Sequence, residues 1–229
     1  MPCEAPARCA ACAARDLALC GGIPERDLAA LHALGRRRVL APGQALTWAG
    51  DSASLCGNVV SGVLKVERQE AGGRAQIVGL LFPGDFAGDP FAPHAAETIV
   101  ALAATDVCIY PREALVRMLE AHPAAGRLLL QRTLATLAEA RRSLPMLAHA
   151  PADARVAAFL LDMERRAKVP AGQPFALPLS RGAIAEALGL AIETVSRQIT
   201  AFRDEGILAL SGLRGVHIID RQALARRAR

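Results

Sequence analysis

Four of the chain's six cysteines lie near its start, at Cys3, Cys9, Cys12 and Cys20. Cys9, Cys12 and Cys20 have the spacing C-x2-C-x7-C, and Cys108 stands far off in the run TDVCIYP. Three neighbouring thiolates and one distant thiolate suit a 4Fe–4S cluster, because each iron takes one cysteine. They suit a structural zinc ion equally well. A third reading makes Cys56 and Cys108 plain buried thiols. Spacing alone leaves these alternatives open. The stretch MPCEAPARCAACAARD has no apolar signal core, which predicts a cytoplasmic protein. In that reducing compartment six cysteines point to metal or redox work over disulfides. Cys56 falls in a strand-like run and reads as a core thiol.

A second constellation lies in residues 180 to 205, SRGAIAEALGLAIETVSRQITAFRDE. Ser180 suits the N-cap of a helix through Leu188, and Gly189 stands where a tight turn is wanted. A second helix follows from Ala191 or Ile192 to Asp204. Two short helices joined through a glycine turn form a helix-turn-helix. Ile192, Val195, Ile199 and Phe202 form the apolar face of the second helix. Glu193, Ser196 and Arg197 share the opposite face near its N-terminal end, the end that meets base edges. Arginine bonds guanine O6 and N7 in bidentate fashion, and glutamate accepts from cytosine N4. Arg197 and Glu193 can therefore read one G·C pair from both sides, with Ser196 on a neighbouring base or phosphate. The bland reading is a solvated face with an i, i+4 salt bridge. The segment GILALSGLRGVHIID then reads as a two-strand wing turning near Gly212 to Gly215. Arg214 is within reach of a phosphate, and Arg226, Arg227 and Arg229 read as a solvated tail.

These groups need elements to position them. With 229 residues and 52% apolar content, the chain is long enough for one large or two ordinary domains with real cores. Residues 1 to 22 are expected to hold little regular structure. A short helix, Pro24 to Leu34, carries Leu28, Leu31 and Leu34 on one face, and the adjoining Arg36, Arg37 and Arg38 read as a solvated patch. From Val39 to Tyr110 short apolar runs alternate with glycine turns, which predicts an antiparallel β-roll. Gly43, Gly50, Gly62, Gly72, Gly73 and Gly84 mark its turns. Pro111 to Ala121 reads as a helix leading into Ala124–Leu144. There Leu130, Leu134, Leu137, Arg141 and Leu144 follow a 4-3-4-3 spacing. One narrow apolar seam suits a helix that pairs with another helix, or one packed inside a single domain. Pro123 suits its first turn, and Pro145 is expected to stop or kink it. A further helix, Pro151 to Ala167, turns Val156, Phe159, Leu160 and Met163 inward. The domain boundary is expected near Met146 to Pro151.

Several classes are disfavoured. No run is long and apolar enough for a membrane span. His32, His94, His122, His149 and His217 are scattered with no H-x-H pair, against a metal oxygenase built on the roll. No glycine-rich phosphate loop opens a helix. The net charge of +5 is compatible with a polyanion partner.

The runs VVSGVLK and FPGDFAG, the long helix and IETVSR together resemble the Crp–Fnr family of bacterial transcription regulators, over nearly the whole chain. The serine within ETVSR resembles the Fnr-like branch; the cyclic-AMP-binding branch typically has glycine there. The resemblance implies an α+β chain in four parts: a cysteine-rich cluster-binding segment over 1–22, a cyclic-nucleotide-binding-like sensory β-roll over 23–122, a dimerisation helix over 123–148, and a winged helix-turn-helix over 149–229. It implies a homodimer pairing through Leu130, Leu134, Leu137 and Leu144. It also implies a double-stranded DNA site resembling TTGAT-N4-ATCAA, whose single G·C per half-site fits Arg197 and Glu193. Relatives of that branch hold an oxygen-sensing 4Fe–4S cluster on an N-terminal triad and one internal cysteine, and the matching positions are Cys9, Cys12, Cys20 and Cys108. Cys3 lies outside the motif but can stand in for Cys9. Loops around Phe82 to Phe86 are where such regulators contact RNA polymerase. The stretch GDPFAPHAAETIV lacks the arginine that contacts cyclic AMP in the other branch, so a cyclic-nucleotide sensor is disfavoured. Alternatives within the family are structural zinc, nitric oxide or haem as the signal. The expected switch starts from residues 1–22 lacking the apolar content to order themselves. The cluster then ties them to Cys108 and favours the dimer that meets two half-sites.

Overall fold

In the computed structural model, residues 9, 11–69, 75–170 and 172–228 are described. Cys3, the glycine turn at Gly72 and Gly73, and Arg229 lie outside the described residues. The chain has an α+β fold and divides into two units, one up to Leu137 and one from Ala138.

In the first unit, helix α1 (Glu25–Leu34) precedes strands β1 (Arg36–Leu40), β2 (Ala45–Thr47), β3 (Leu55–Ser61), β4 (Leu64–Gln69), β5 (Ala75–Leu81), β6 (Phe86–Ala87), β7 (Thr98–Ala101) and β8 (Thr105–Pro111). The strands pair antiparallel as two sheets, ordered β1-β8-β3-β6 and β2-β7-β4-β5. One core fills the roll, with Leu40, Leu46, Val59, Leu64, Ile99 and Val107 at its centre. Gly62 shows why the VVSGVLK turn needs glycine: its φ is +84°, and a Cβ would meet Thr105 Oγ1 at 2.5 Å. Helix α2 (Arg112–Ala121) follows β8 directly and buries Leu115, Met118 and Leu119.

A second core lies outside the roll and explains how the cysteine-rich segment is held. Leu19 and Ile23 are buried there with Leu28, Leu31, Tyr110, Leu115 and Leu129. Ala14 and Ala18 are buried as well. For the described residues 11–22, this corrects the expectation that the segment lacks the apolar content to order itself. Among the described residues from 11 to 22, regular structure is a short 3-10 turn at Leu19–Gly22, and this part is packed. Its small side chains let it lie close to its neighbours: a Cβ on Gly22 would strike Leu128 Cδ2 at 2.4 Å, and one on Gly84 would strike Leu17 Cβ at 2.6 Å.

Helix α3 runs from Pro123 to His149. Its first turns bury Ala125 and Leu129, and Arg132 Nη1 donates to Gly84 O at 3.0 Å. Pro145 does not stop the helix; it lies inside it. Proline φ is already helical, so the backbone carries through with one hydrogen bond missing. The seam is not core. Leu130, Leu134, Leu137 and Leu144 are 57%, 54%, 42% and 62% exposed, which sets aside a helix whose seam is packed inside one domain.

Within the second unit, Glu139 near the end of α3 pairs with Arg165 and Arg166 of α4 (Ala152–Ala167). Helix α4 buries Val156, Phe159, Leu160 and Met163, as its spacing predicts. Next come β9 (Phe175–Ala176), α5 (Arg181–Leu188), α6 (Ile192–Asp204), β10 (Leu208–Ser211), β11 (Gly215–Ile218) and α7 (Arg221–Arg227). The wing strands β10 and β11 pair antiparallel, and β9 adds a third strand not legible in the sequence. The basic tail is not merely solvated: Arg227 pairs with Glu205 at 2.8 Å, and Arg221 pairs with the buried Glu164 at 2.9 Å.

Ser180 caps α5, its side chain accepting from Ala183 N–H at 3.2 Å. Gly189 ends the helix at φ +62°, the left-handed conformation that turns the chain into α6. Ser180→Ala leaves that N–H without its cap and is expected to cost about 1 kcal/mol of stability, measured by denaturant unfolding. No helix among the described residues is long and apolar enough to cross a membrane.

Candidate metal centre and nucleic-acid interface

Strand alternation assembles the first site. Side chains two apart on a strand share a face, so Asp106, Cys108 and Tyr110 of β8 look the same way. Pairing adds Arg37 of β1 and Asn58 of β3, both opposite Cys108, and Cys56 opposite Tyr110. The turn segment carrying Cys9, Cys12 and Cys20 lies over this face. Together Cys9, Cys12, Cys20, Cys108, Arg37 and Tyr110 line one cavity. No disulfide joins the described cysteines.

The cavity is apolar enough to resist charge. Burial pushes the Cys20 thiol up to about 11, against a hydrogen bond from Tyr110 that lowers it, and the neighbouring Cys108, Cys9 and Cys12 raise it further. Four thiolates gathered there would repel one another, so a cationic group among them supplies what the donor set lacks. Among the described residues, no three His, Cys, Asp or Glu side chains converge tightly enough for a single metal ion. A zinc ion needs all four sulfurs about 2.3 Å from one point. A cluster takes one cysteine per iron and accepts donors spread around a cavity. The four thiols lining the cavity supply one cysteine per iron and so fit a 4Fe–4S cluster.

Two groups around the thiols are not evident from the sequence. Arg37, read as part of a solvated patch, donates from Nε to Asp106 Oδ1 at 2.8 Å and pairs with Oδ2 through Nη2. Its Nη1 reaches Cys12 Sγ at 3.8 Å. The Asp106 bonds hold the guanidinium firmly charged. Behind the cysteines, Asn58 and Tyr110 are both 1% exposed. Their positions at i±2 from Cys108, or across the strand from it, are the signal that could have found them.

Cys56 belongs to the core, as expected, and is fully buried. Burial, and then Asp89, push its thiol up to about 12. Since the thiolate is the nucleophile, iodoacetamide at about pH 8 leaves Cys56 unmodified until the chain unfolds. Peptide mapping of native and denatured protein checks this.

The second site lies on α6. Val195, Ile199 and Phe202 are buried, while Glu193 and Arg197 are exposed and Ser196 is half-buried. Ile192 departs from the expected apolar face. It is 46% exposed, and only its tip approaches α5, with Cδ1 3.7 Å from where a Gly182 Cβ would stand. Its place at the first residue of the helix leaves the rest of the side chain uncovered. The i, i+4 salt bridge of the bland reading is not among the ion pairs of the described residues, and both residues are exposed. Arg214 is exposed at the wing and donates to Pro178 O at 3.1 Å.

Residues 154–227 match the Crp-like helix-turn-helix domain, and residues 37–122 match the cyclic nucleotide-binding domain. The chain is 33% identical to the transcriptional activator protein FnrL of Cereibacter sphaeroides, over 93% of this chain and 88% of the relative. It is 32% identical to the transcriptional activator protein Anr of Pseudomonas aeruginosa, over 93% of this chain and 89% of the relative. The structure of FixK2 from Bradyrhizobium japonicum superposes with a TM-score of 0.79 at 31% identity, covering 85% of this chain and 98% of that one. The chain thus belongs to the Crp/Fnr family of DNA-binding transcription regulators, and is not an enzyme.

Proposed function

We propose that the chain is a cytoplasmic, oxygen-responsive transcription activator. It acts as a homodimer carrying a 4Fe–4S cluster on Cys9, Cys12, Cys20 and Cys108, and it binds a palindrome resembling TTGAT-N4-ATCAA. The observation that carries this reading is the convergence of those four thiols, from two distant parts of the chain, on one cavity of a Crp/Fnr-family regulator. The relatives FnrL and Anr are named transcriptional activators, which supports activation, with RNA polymerase as the further partner.

When bound, the cluster supplies an oxygen-labile crosslink among its four thiolates. The chain's own residues convert that crosslink into a change at the dimer face. Cys20 sits in the 3-10 turn Leu19–Gly22, and Gly22 rests on Leu128 of α3. Cys108 sits on β8, which runs directly into α2 and α3. Cys20 and Cys108, which would hold the cluster, thus lie on elements that pack against or lead into α3, whose exposed seam carries Leu130, Leu134 and Leu137. Those leucines and Leu144 then pair with the same seam of a second copy. Dimerisation brings two α6 helices to two half-sites about one helical turn apart. On each, Arg197 bonds guanine, Glu193 accepts from the paired cytosine, and Ser196 contacts a neighbouring group. The positive charge of the chain adds salt-dependent, sequence-independent affinity.

The test is fluorescence anisotropy with a TTGAT-N4-ATCAA duplex, alongside sedimentation velocity, under nitrogen and after exposure to air. Tight binding by a dimer under nitrogen, lost in air, is the expected result. Equal binding in both would contradict the oxygen response and leave the DNA reader intact.

A further inference from the structure

Ligation by cysteine does not account for the two polar side chains buried behind the cavity. A buried amide and phenol are costly unless each finds a partner, and here the partners form a directed chain. The backbone N–H of Leu19 can only donate, and Asn58 Oδ1 lies 3.5 Å away. The other end of the Asn58 amide is therefore its donor, and Nδ2 lies 3.4 Å from Tyr110 Oη. Tyr110 Oη accepts that bond, which leaves its single proton for a sulfur. Cys20 Sγ lies 3.9 Å away. The ring cannot swing aside, because Gly35 packs so close that a Cβ there would meet Tyr110 Cε1 at 2.9 Å and Cys108 Sγ at 3.0 Å.

We propose that Tyr110 is a positioning residue of the metal centre: a hydrogen-bond donor, aimed by Asn58, to the sulfur of Cys20 that slows the centre's reaction with oxygen. The inference rests on the cluster reading above. Hydrogen bonds to ligand sulfurs withdraw electron density and raise the potential of an iron–sulfur centre. The Arg37 cation, with Nη1 3.8 Å from Cys12 Sγ, acts in the same sense.

The experiment compares wild type, Tyr110→Phe and Asn58→Ala after anaerobic reconstitution. Iron and sulfide per chain, midpoint potential, and the rate of visible bleaching in air are recorded, with thermal unfolding of the metal-free proteins as the packing control. Tyr110→Phe keeps the ring and removes only the donor. It is expected to load iron like wild type, to show a lower potential, and to bleach about two- to tenfold faster. Asn58→Ala keeps the hydroxyl but not its aim, and is expected to shift both readouts the same way by less. If loaded Tyr110→Phe matches wild type in potential and bleaching rate, the inference is overturned while the cluster stands. If Tyr110→Phe fails to load, Asn58→Ala decides, and an unchanged potential there overturns the inference. A wild type that takes up no iron overturns the cluster reading, and this inference with it.

Discussion

Arg197→Ala is expected to abolish sequence-specific DNA binding without disturbing the fold. Arg197 is exposed on α6 and has no ion pair among the described residues, so nothing in the reader depends on it structurally. Its loss removes a bidentate contact to guanine worth about 1–3 kcal/mol of discrimination. The palindrome presents that contact twice, so the specific complex weakens by the combined effect of both half-sites. Arg197→Lys separates charge from shape. Lysine keeps the positive charge but not the planar fork, so non-specific binding and its salt dependence survive while discrimination against a swapped G·C pair falls. Competition anisotropy with wild-type and G·C-swapped duplexes reads both. A variant Arg197→Ala that still rejects the swapped duplex would move the base-reading role to other residues.

Leu134→Glu is expected to hold the chain as a monomer under nitrogen. Leu134 lies midway along the exposed seam of α3, between Leu130 and Leu137. In the isolated chain its side chain is more than half exposed, so a glutamate there costs the fold little. In a two-fold seam the same change sets a pair of carboxylates facing one another and removes apolar burial worth about 1.5–3 kcal/mol per fully buried leucine on each side. Without the linked second reader, affinity for the full palindrome falls by about 10²–10⁴. Sedimentation velocity and anisotropy on one anaerobic sample check both. A variant that stays dimeric would take pairing away from this seam.

The readable parts of the sequence were those governed by local period. The α6 pattern placed Val195, Ile199 and Phe202 inward and Glu193 and Arg197 outward, because a helix of known pitch leaves little choice. Ser180 and Gly189 marked the ends of α5 by cap chemistry that needs no tertiary context. The seam spacing of α3 was equally plain, but whether it faced core or solvent was not, since period alone does not name the partner. The wall of the metal cavity was illegible for a different reason. Arg37, Asn58, Asp106 and Tyr110 come together through pairing of β1 and β3 with β8, and that register is set by contacts between residues far apart in the chain. Local period alone therefore places Arg37 in a solvated patch, whereas its pairing opposite Cys108 places it at the cavity. The packing of Leu19 and Ile23 was hidden likewise, because it depends on helices α1, α2 and α3 meeting at one place. Of the two outcomes expected at Pro145, the stop does not occur, because the helix can lose one hydrogen bond at an exposed site.

The most direct measurement is on protein purified without air: iron, acid-labile sulfide and zinc are counted per chain, and the visible spectrum is followed as air is admitted. The account predicts about four irons and four sulfides per chain, little zinc, and a broad absorbance that bleaches in air. Stoichiometric zinc, or no metal after reconstitution with iron and sulfide, would contradict it.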